Sequence, residues 1–216
     1  MGIEWISFDL DGTLIDLGSV ELQLWHEVVP RIYAETHKIS YNDAKKACWM
    51  DYDEIGSRDT RWYLKEFWFE RFGLKQDWRE VVKEVLEDLH VYPETDDVLN
   101  ALKKDYKLAL FTNTDIEFAE IKLKWAGLKK YFDQIVSAPS HFNSIKVFPE
   151  AYERFLEKLE IPAEKLLHVG DMESHDYTPA VSVGVEALLI DRKNRLDGEH
   201  VIRSLSDIKY KLKEFK

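Results

Sequence analysis

Two carboxylates stand two residues apart near the start of the 216-residue chain, within residues 6–14 (ISFDLDGTL). The apolar run before them predicts a short buried strand, and side chains at positions i and i+2 of a strand point to the same side. Asp9 and Asp11 should therefore share a face where the strand ends, and they repel each other unless a cation or a shared proton is present. In isolation, an Asp-Gly step after an apolar run is more often a plain hairpin turn. The two acids indicate catalysis only if residues elsewhere in the chain can bind a substrate or a cation beside them.

Residues suited to an anion follow a second apolar segment, residues 107–111. Thr112 and Asn113 come directly after it, and Asp115 opens a predicted helix. Hydroxyl groups and backbone N–H groups at the start of a helix bind anions such as phosphate. Viewed alone, residues of these types more often do no more than cap the helix.

Acidic residues follow a third apolar segment, residues 166–169. Asp171 and Asp176 lie on a loop that begins at Gly170. Two acids in such a loop suit a hard cation such as Mg²⁺, which prefers oxygen ligands, although alone they could equally form turns. Lys146 lies in a loop between these segments. A lone loop lysine is usually a solvated surface residue, but inside a cleft its charge would balance carboxylates and a phosphate.

The elements that must position these residues alternate between strand and helix from residue 91 onward. We predict strands over 107–111, 134–138, 166–169 and 186–190, and helices over 95–104, 116–125, 149–159 and 178–183. This alternation predicts an α/β fold with a parallel sheet and helices on both of its faces. Ligands of such sheets bind outside the carboxyl ends of the strands. The candidate residues therefore meet at one edge, and chance rarely places a nucleophile, an anion site and metal ligands together.

Residues 18–90 are predicted to be helical and contain no convincing strand. Helices are expected from Ser19, over 40–50, over 57–72 and over 77–90. The segment holds five of the seven tryptophans, which are Trp25, Trp49, Trp62, Trp68 and Trp78. For any one of them, packing inside a small helical bundle is the favoured explanation, and a place on the wall of a substrate pocket is the alternative. The aromatic run 62–69 covers more than one helix face, so part of it can face a partner or ligand.

Composition limits the classes of partner. A net charge of −11 argues against binding a nucleic-acid backbone. A small anionic substrate is compatible with that charge if a metal cation supplies positive charge locally. The single cysteine, Cys48, excludes an intramolecular disulfide and suits a reducing compartment. No apolar run approaches the ~20 residues of a membrane span and the start lacks a basic leader, so we expect a cytoplasmic protein without a membrane partner.

Taken together, the motifs resemble those of haloacid dehalogenase-superfamily hydrolases with a helical cap inserted after the first motif. Residues 8–14 (FDLDGTL) match the first signature in full. The later signatures correspond to Thr112-Asn113, to Lys146 with Pro149, and to Gly170-Asp171 with Asp176. The chain departs from the usual pattern at Val147, where proline is common, and at Met172, where a small polar residue is common. Neither departure removes a charged group.

The resemblance implies a Rossmann-like catalytic core of residues 1–17 and 91–216, and a helical cap of residues 18–90. It further implies a phosphatase that acts on a small phosphorylated metabolite. Asp9 would attack phosphorus to form an aspartyl-phosphate. Asp11 would protonate the leaving alcohol and then activate the water that cleaves the intermediate.

By the same resemblance, Mg²⁺ is the expected cofactor. Its ligands would be Asp9, the backbone carbonyl of Asp11 and Asp171, with Asp176 assisting nearby or through water. The phosphoryl oxygens would be held by Thr112, Asn113 and Lys146.

Several alternatives stay open at the level of sequence. Dehalogenation also uses an aspartate nucleophile, but a halide leaves without a proton, so Asp11 and the metal-binding acids favour phosphoryl transfer. A phosphomutase needs the same core and differs in the cap. A non-catalytic binding protein on this fold would have no need of Asp9, Asp11, Lys146 and Asp171 together. The sequence determines neither the substrate, the cap residues that face the site, nor the oligomeric state.

Overall fold

The architecture is taken from a computed structural model, which describes residues 2–214 apart from the side chains of Leu17 and Ser19. Its strands are β1 (Trp5–Phe8), β2 (Lys107–Thr112), β3 (Gln134–Ser137), β4 (Leu166–Gly170), β5 (Glu186–Ile190) and β6 (Val201–Ile202). They form one parallel sheet in the order β3-β2-β1-β4-β5-β6. The predicted fold class, a Rossmann-like parallel sheet with helices, is confirmed.

Strand β1 occupies the middle of the sheet and is buried on both faces. Phe8 pairs with Leu110 of β2 on one side and with Val169 of β4 on the other. Ile6 and Phe8 pack into the hydrophobic cluster on one face, and Trp5 packs into the cluster on the opposite face. All four β1 residues are buried, as a central strand of a parallel sheet requires. The residue that follows Phe8 is therefore placed between the ends of β2 and β4.

The segment between β1 and the rest of the sheet is helical. Its helices are α1 (Leu17–Gln23), α2 (Val29–His37), α3 (Tyr41–Ile55), α4 (Lys65–Arg71), α5 (Trp78–Val81) and α6 (Lys83–Leu86). One π-helical turn, Leu24–Val28, joins α1 to α2. A hydrophobic cluster of their own holds these helices together, and Phe118 from the sheet domain belongs to it.

Two helix predictions in this segment were wrong in detail. Residues 57–72 do not form one helix: a 3₁₀ turn, Thr60–Tyr63, is separated from α4 by Leu64, whose backbone is extended. The predicted helix 77–90 is likewise divided into the short helices α5 and α6. The N-cap of α1 is Asp16, whose Oδ1 accepts from the Gly18 N–H. The proposed capping side chain of Ser19 lies outside the described residues.

The remaining helices cover the two faces of the sheet. They are α7 (Thr95–Leu102), α8 (Ile116–Trp125), α9 (Ala138–Phe142), α10 (Pro149–Leu159), α11 (Thr178–Ser182) and α12 (Ile208–Lys211). The bounds of α8, α10 and β5 agree with the sequence prediction. Helix α9 was missed because β3 ends at Ser137, whose side chain caps the new helix. Strand β6 was missed because it has only two residues, too few to show the alternation of apolar and polar side chains that indicates a strand.

The chain crosses between the sheet and the helical segment twice, and the two connecting segments lie side by side. Ile15 pairs with Val91 in an antiparallel bridge, and the Asp16 N–H donates to the His90 carbonyl oxygen over 2.8 Å. The division into a core of residues 1–17 and 91–216 and a cap of residues 18–90 remains our proposal, with residues 1, 215 and 216 outside the described range. None of the helices formed by residues 2–214 combines the length and apolarity needed to cross a membrane.

Candidate active site

The candidate residues gather where β1, β2 and β4 end. Asp9 follows β1 directly, and its N–H donates to the Val169 carbonyl oxygen over 2.9 Å, which continues the pairing with β4 by one residue. Thr112 ends β2 on one side of Asp9, and Asp171 follows β4 on the other. The strand order therefore brings together side chains that are separated by more than 150 residues in sequence.

The Lys146 ammonium lies at the centre of this group. Its Nζ donates to Asp9 Oδ1 over 2.5 Å, to Asp176 Oδ1 over 2.6 Å and to the Phe111 carbonyl oxygen over 3.0 Å. The Lys146 N–H donates to Asn113 Oδ1 over 2.9 Å, which fixes the loop to the end of β2. The side chain is buried. The sequence offered a surface lysine or a cleft lysine, and the structure places Lys146 in the cleft.

Two further carboxylates, those of Asp171 and Asp176, lie close to Asp9. Ligand oxygens of Asp9, Asp171 and Asp176 lie within 4.8 Å of one another. Gly12 makes room for this arrangement, because a Cβ at that position would stand 2.4 Å from Asp171 Oδ2. Its φ of +90° also favours glycine.

The charges of this cluster are out of balance without a further cation. Burial, together with the charges of Asp176 and Asp171, raises the pKa of Asp9 well above its usual range. Burial and the charge of Asp176 raise the pKa of Asp171 to about 7. Among residues 2–214, Lys146 is the one ammonium bonded to the cluster, and it leaves an excess of negative charge on the carboxylate oxygen atoms. The donor set thus fits a hard divalent cation such as Mg²⁺.

Asp176 is the most firmly held of the three acids. Besides Lys146, it accepts from the Met172 N–H over 2.9 Å, and His168 Nε2 lies 3.3 Å from its Oδ1. His168 in turn contacts Ser7 Oγ over 2.7 Å. Burial alone would raise the pKa of Asp176, but the Lys146 ammonium holds it below its usual range. A permanently charged Asp176 suits an anchor for Lys146 and for the loop after β4.

The Asp11 carboxylate points away from this cluster. It accepts from Thr114 Oγ1 over 2.8 Å and from Lys122 Nζ over 2.7 and 2.9 Å. Of the four predicted metal ligands, Asp11 is therefore the one whose side chain stands apart, and only its backbone carbonyl remains for that role. The two neighbouring acids occupy different electrostatic environments, which separates their chemistry.

Lys122 also connects the helical segment to the sheet domain. Its Nζ donates to Glu21 Oε1 of α1 over 2.7 Å. Lys65 of α4 lies 3.8 Å from Glu21 and 3.3 Å from Asp115, which caps α8. Burial would raise the pKa of Glu21, but Lys122 and Lys65 lower it to about 2. We call these residues and Asp11 the cap–core ion cluster.

Sequence reasoning missed the lysines of the cap–core ion cluster, although a signal was present. Lys122 follows Phe118 by four positions, on the face of α8 that also buries Ala119 and Leu123. Lys65 precedes Phe69 by four positions on the buried face of α4. A lysine on the apolar face of an amphipathic helix needs an acidic partner.

A cavity of about 470 Å³ opens above Asp9 and Asp11. Its sheet side carries the predicted phosphate-binding residues Thr112, Asn113 and Lys146. Its opposite side is largely aromatic and comprises Trp25, His26, Trp49, Tyr52, Trp62, Tyr63 and Trp68. The favoured explanation of the tryptophans as interior residues describes Trp78, which contacts Phe118. Trp68 is buried in the hydrophobic cluster of the helical segment and also lines the cavity, so both explanations apply to it. Both also apply to Trp25 and Trp62, which pack against that cluster and line the cavity. For the exposed Trp49, the pocket-wall alternative describes the structure.

Known proteins resemble this chain over most of its length. A profile of the family described as "haloacid dehalogenase-like hydrolase" matches residues 3–184. The chain is 24% identical to pyrimidine 5'-nucleotidase YjjG of Escherichia coli over 208 residues, covering 92% of this chain and 90% of that protein. It is 24% identical over 192 residues to pyrophosphatase PpaX of Bacillus cereus, covering 88% and 84% of the two chains. The crystal structure of an HAD phosphatase from Thermococcus onnurineus superposes with a TM-score of 0.84 at 27% identity and covers 97% of this chain and 98% of that one.

We expect Mg²⁺ to stabilise the protein more at about pH 8 than at about pH 6. The pKa of Asp171 is raised to about 7 in the folded protein, whereas an unfolded aspartate titrates near ~3.9. Through this group the metal-free protein loses stability as the pH rises from about 4 to about 7, because the folded state retains a proton that the unfolded chain has released. Above that range the carboxylate is free to bind a cation, and below it a proton competes.

The measurement is the melting temperature with EDTA or with MgCl₂ at both pH values. Asp171→Asn keeps the shape of the side chain and removes its charge, so this variant should lose most of the Mg²⁺-induced shift. An equal or larger shift at the lower pH would contradict the assignment of Asp171.

Replacing Lys122 by Met should lower the free energy of unfolding by about 3 kcal/mol, because the carboxyl groups of Asp11 and Glu21 would lose the buried cation to which both are bonded. Urea unfolding measures the loss. Lys124→Met, at an exposed position of the same helix, is the matched control and should change little. Adding Glu21→Gln to the Lys122→Met variant should restore part of the loss. A loss below about 1 kcal/mol would mean that the cluster is no more than a surface ion pair.

Proposed function

The chain belongs to the haloacid dehalogenase-like hydrolases, and from that premise we propose that it is a Mg²⁺-dependent phosphatase. Its substrate is a small phosphorylated metabolite, and residues 18–90 form the cap that covers the reacting group. The names of the relatives support phosphoryl chemistry, because a nucleotidase and a pyrophosphatase both cleave phosphorylated small molecules.

The observation that carries the proposal is the different surroundings of the two acids at the end of β1. Asp9 lies beside Lys146 and the acids Asp171 and Asp176. Asp11 is held by Thr114 and Lys122, outside that cluster, and still lines the cavity. One carboxylate is thus available for attack at phosphorus, and the other for proton transfer to and from the leaving oxygen.

In the proposed mechanism Asp9 is the nucleophile. Its carboxylate attacks phosphorus, the bond to the alcohol oxygen breaks, and an aspartyl-phosphate forms on Asp9. A carboxylate and a phosphate repel each other, so the site must supply positive charge. Lys146 supplies part of it, and Mg²⁺ held by Asp9, Asp171 and the Asp11 carbonyl would offset the remaining repulsion.

Asp11 is the proposed general acid and base. The cycle begins with Asp11 protonated, and in the first step it gives that proton to the departing alcohol oxygen and becomes a carboxylate. In the second it accepts a proton from the water that attacks the aspartyl-phosphate, which releases phosphate and restores Asp9. The bonds from Thr114 and Lys122 fix the orientation of the Asp11 carboxylate toward the cavity.

The transferred phosphoryl group needs donors for its oxygens. Lys146 offers its ammonium, and Thr112 its hydroxyl group. The Asn113 carbonyl oxygen accepts from the Lys146 backbone, and its side chain also hydrogen-bonds the Tyr63 hydroxyl group. The amide nitrogen carries two hydrogens, so one of them would donate to the substrate while the other faces Tyr63. These groups would stabilise the charge that develops on the phosphoryl oxygens in the transition state.

Dehalogenation and phosphoryl transfer make different demands on this site. Halide leaves as an anion and needs neither a proton donor nor a metal cluster. An oriented Asp11 and three clustered carboxylates are therefore explained by phosphate-ester hydrolysis and would be superfluous for cleavage of a carbon–halogen bond.

Replacing Asp9 by Asn should abolish phosphate release from p-nitrophenyl phosphate, because the amide is not a nucleophile. EDTA should abolish turnover by the wild type, and MgCl₂ should restore it. Asp53→Asn makes the same chemical change at an exposed cap position and should keep full activity. Wild-type rates in Asp9→Asn, or chloride release from 2-chloropropionate without phosphatase activity, would overturn the proposal.

The variant Asp11→Asn should separate the two chemical steps. Nitrophenolate leaves without a proton, so this variant should release about one equivalent of it per protein in a burst and then stall, because no base activates the water. With an alkyl phosphate, whose alkoxide needs a proton, the same variant should show no burst. Stopped-flow absorbance measures the first product, and phosphate release measures the second. Equal slowing with both esters and no burst would remove Asp11 from this role.

A further inference from the structure

The cap side of the cavity is built from aromatic rings arranged around Tyr52. The ring of Tyr52 meets Trp25 at 6.0 Å and 83°, and Trp49 at 6.4 Å and 72°, in edge-to-face contacts. It also meets Trp62 at 6.0 Å and 67°, and Trp68 at 4.9 Å and 84°. All five side chains line the cavity above Asp9. We call them the aromatic wall.

The polar atoms of the aromatic wall are mostly used within the cap. Trp25 Nε1 donates to Glu21 Oε2 over 2.9 Å, Trp68 Nε1 to the Trp62 carbonyl oxygen over 2.8 Å, and the Tyr52 hydroxyl to the Trp25 carbonyl oxygen over 3.2 Å. These bonds lock the rings in place. What the wall presents to a ligand is therefore chiefly π-surface in a fixed orientation.

Two charged side chains that line the cavity beside the aromatic wall, Glu21 and Lys65, are already paired. Glu21 is bonded to Lys122, and Lys65 lies between Glu21 and Asp115. His26 is tilted against the Trp49 ring with centroids 4.7 Å apart, and burial followed by the charge of Lys45 lowers its pKa. Apart from His26, Ser57 and Tyr63, this side offers few hydrogen-bond partners to replace the water that a ligand with many hydroxyl groups would give up. A planar aromatic ring loses little by desolvation and gains edge and face contacts.

We propose that the esters hydrolysed at Asp9 carry a planar aromatic group on the alcohol, and that this group binds against Trp25, Trp49 and Trp62. This inference rests on the proposed phosphatase function. One continuous cavity joins the Asp9 end to the aromatic wall, so phosphate and ring are bound together. Its volume of about 470 Å³ lies within the range of small-molecule sites and exceeds what a phosphate alone requires.

The test compares benzyl phosphate with cyclohexylmethyl phosphate. Both esters have a primary alkyl leaving group and the same number of carbon atoms, and they differ in the planarity and π-electrons of the ring. The wild type should hydrolyse benzyl phosphate with a kcat/KM at least roughly fivefold higher, and the difference should lie mainly in KM. A ratio near one would overturn the inference.

Two substitutions in the aromatic wall and one outside it test whether the preference for benzyl phosphate arises at the wall. Trp49→Ala changes a side chain that is 41% exposed, so folding should be unaffected, and Trp62→Ala removes a half-buried ring. Both should reduce the benzyl preference. Trp125→Ala, at an exposed position of α8 outside the cavity, should preserve it. An unchanged preference in both wall variants would overturn the inference even if the wild type prefers benzyl phosphate.

Binding separates this inference from the proposed function. Calorimetric titration of Asp9→Asn with the two esters, in the presence of MgCl₂, measures affinity without turnover. If the wild type hydrolyses no phosphate ester, the proposed function fails. Tighter binding of benzyl phosphate to Asp9→Asn would then still support the aromatic subsite, and equal or absent binding would overturn it.

Discussion

The Lys146 ammonium, shared between Asp9 and Asp176 at the carboxyl edge of the sheet, is the interaction on which the site depends. Parallel strands bring acids from β1 and β4 to the same edge, where burial and mutual repulsion oppose their ionisation. One buried lysine makes that concentration of charge tolerable but does not neutralise it. The negative charge that remains on Asp9, Asp171 and Asp176 suits the site to a divalent cation.

A second ionic arrangement decides how the helical segment meets the core. The cap–core ion cluster places Glu21 and Lys65 from the cap against Lys122 and Asp115 from α8. Buried ion pairs contribute little net stability against apolar packing, but they are costly to separate and directional. The cluster therefore specifies where the cap rests over Asp11. It also positions Trp25, through its bond to Glu21, within the aromatic wall.

How much of the site the sequence predicted depends on how far apart in the sequence the interacting residues lie. Asp9, Lys146 and Asp171 could be identified because each follows a buried strand or carries a family signature, and the sheet brings strand ends together. Lys122 was not identified, since its partners Asp11 and Glu21 come from elements about 100 residues away. The division of residues 57–72 was also missed, because Leu64 takes an extended backbone where the local pattern is helical.

What the sequence determined by itself is the fold class and the hydrolase family. Strand–helix alternation requires a parallel sheet, and the motif at Asp9 and Asp11 places two acids at the end of its first strand. Only the tertiary structure decided which way each side chain faces. Asp11 turns toward Lys122 and away from the acid cluster, and four cap tryptophans turn toward the cavity. Helical periodicity shows that an aromatic face is buried, but the same pattern results whether that face packs against another helix or lines a chamber.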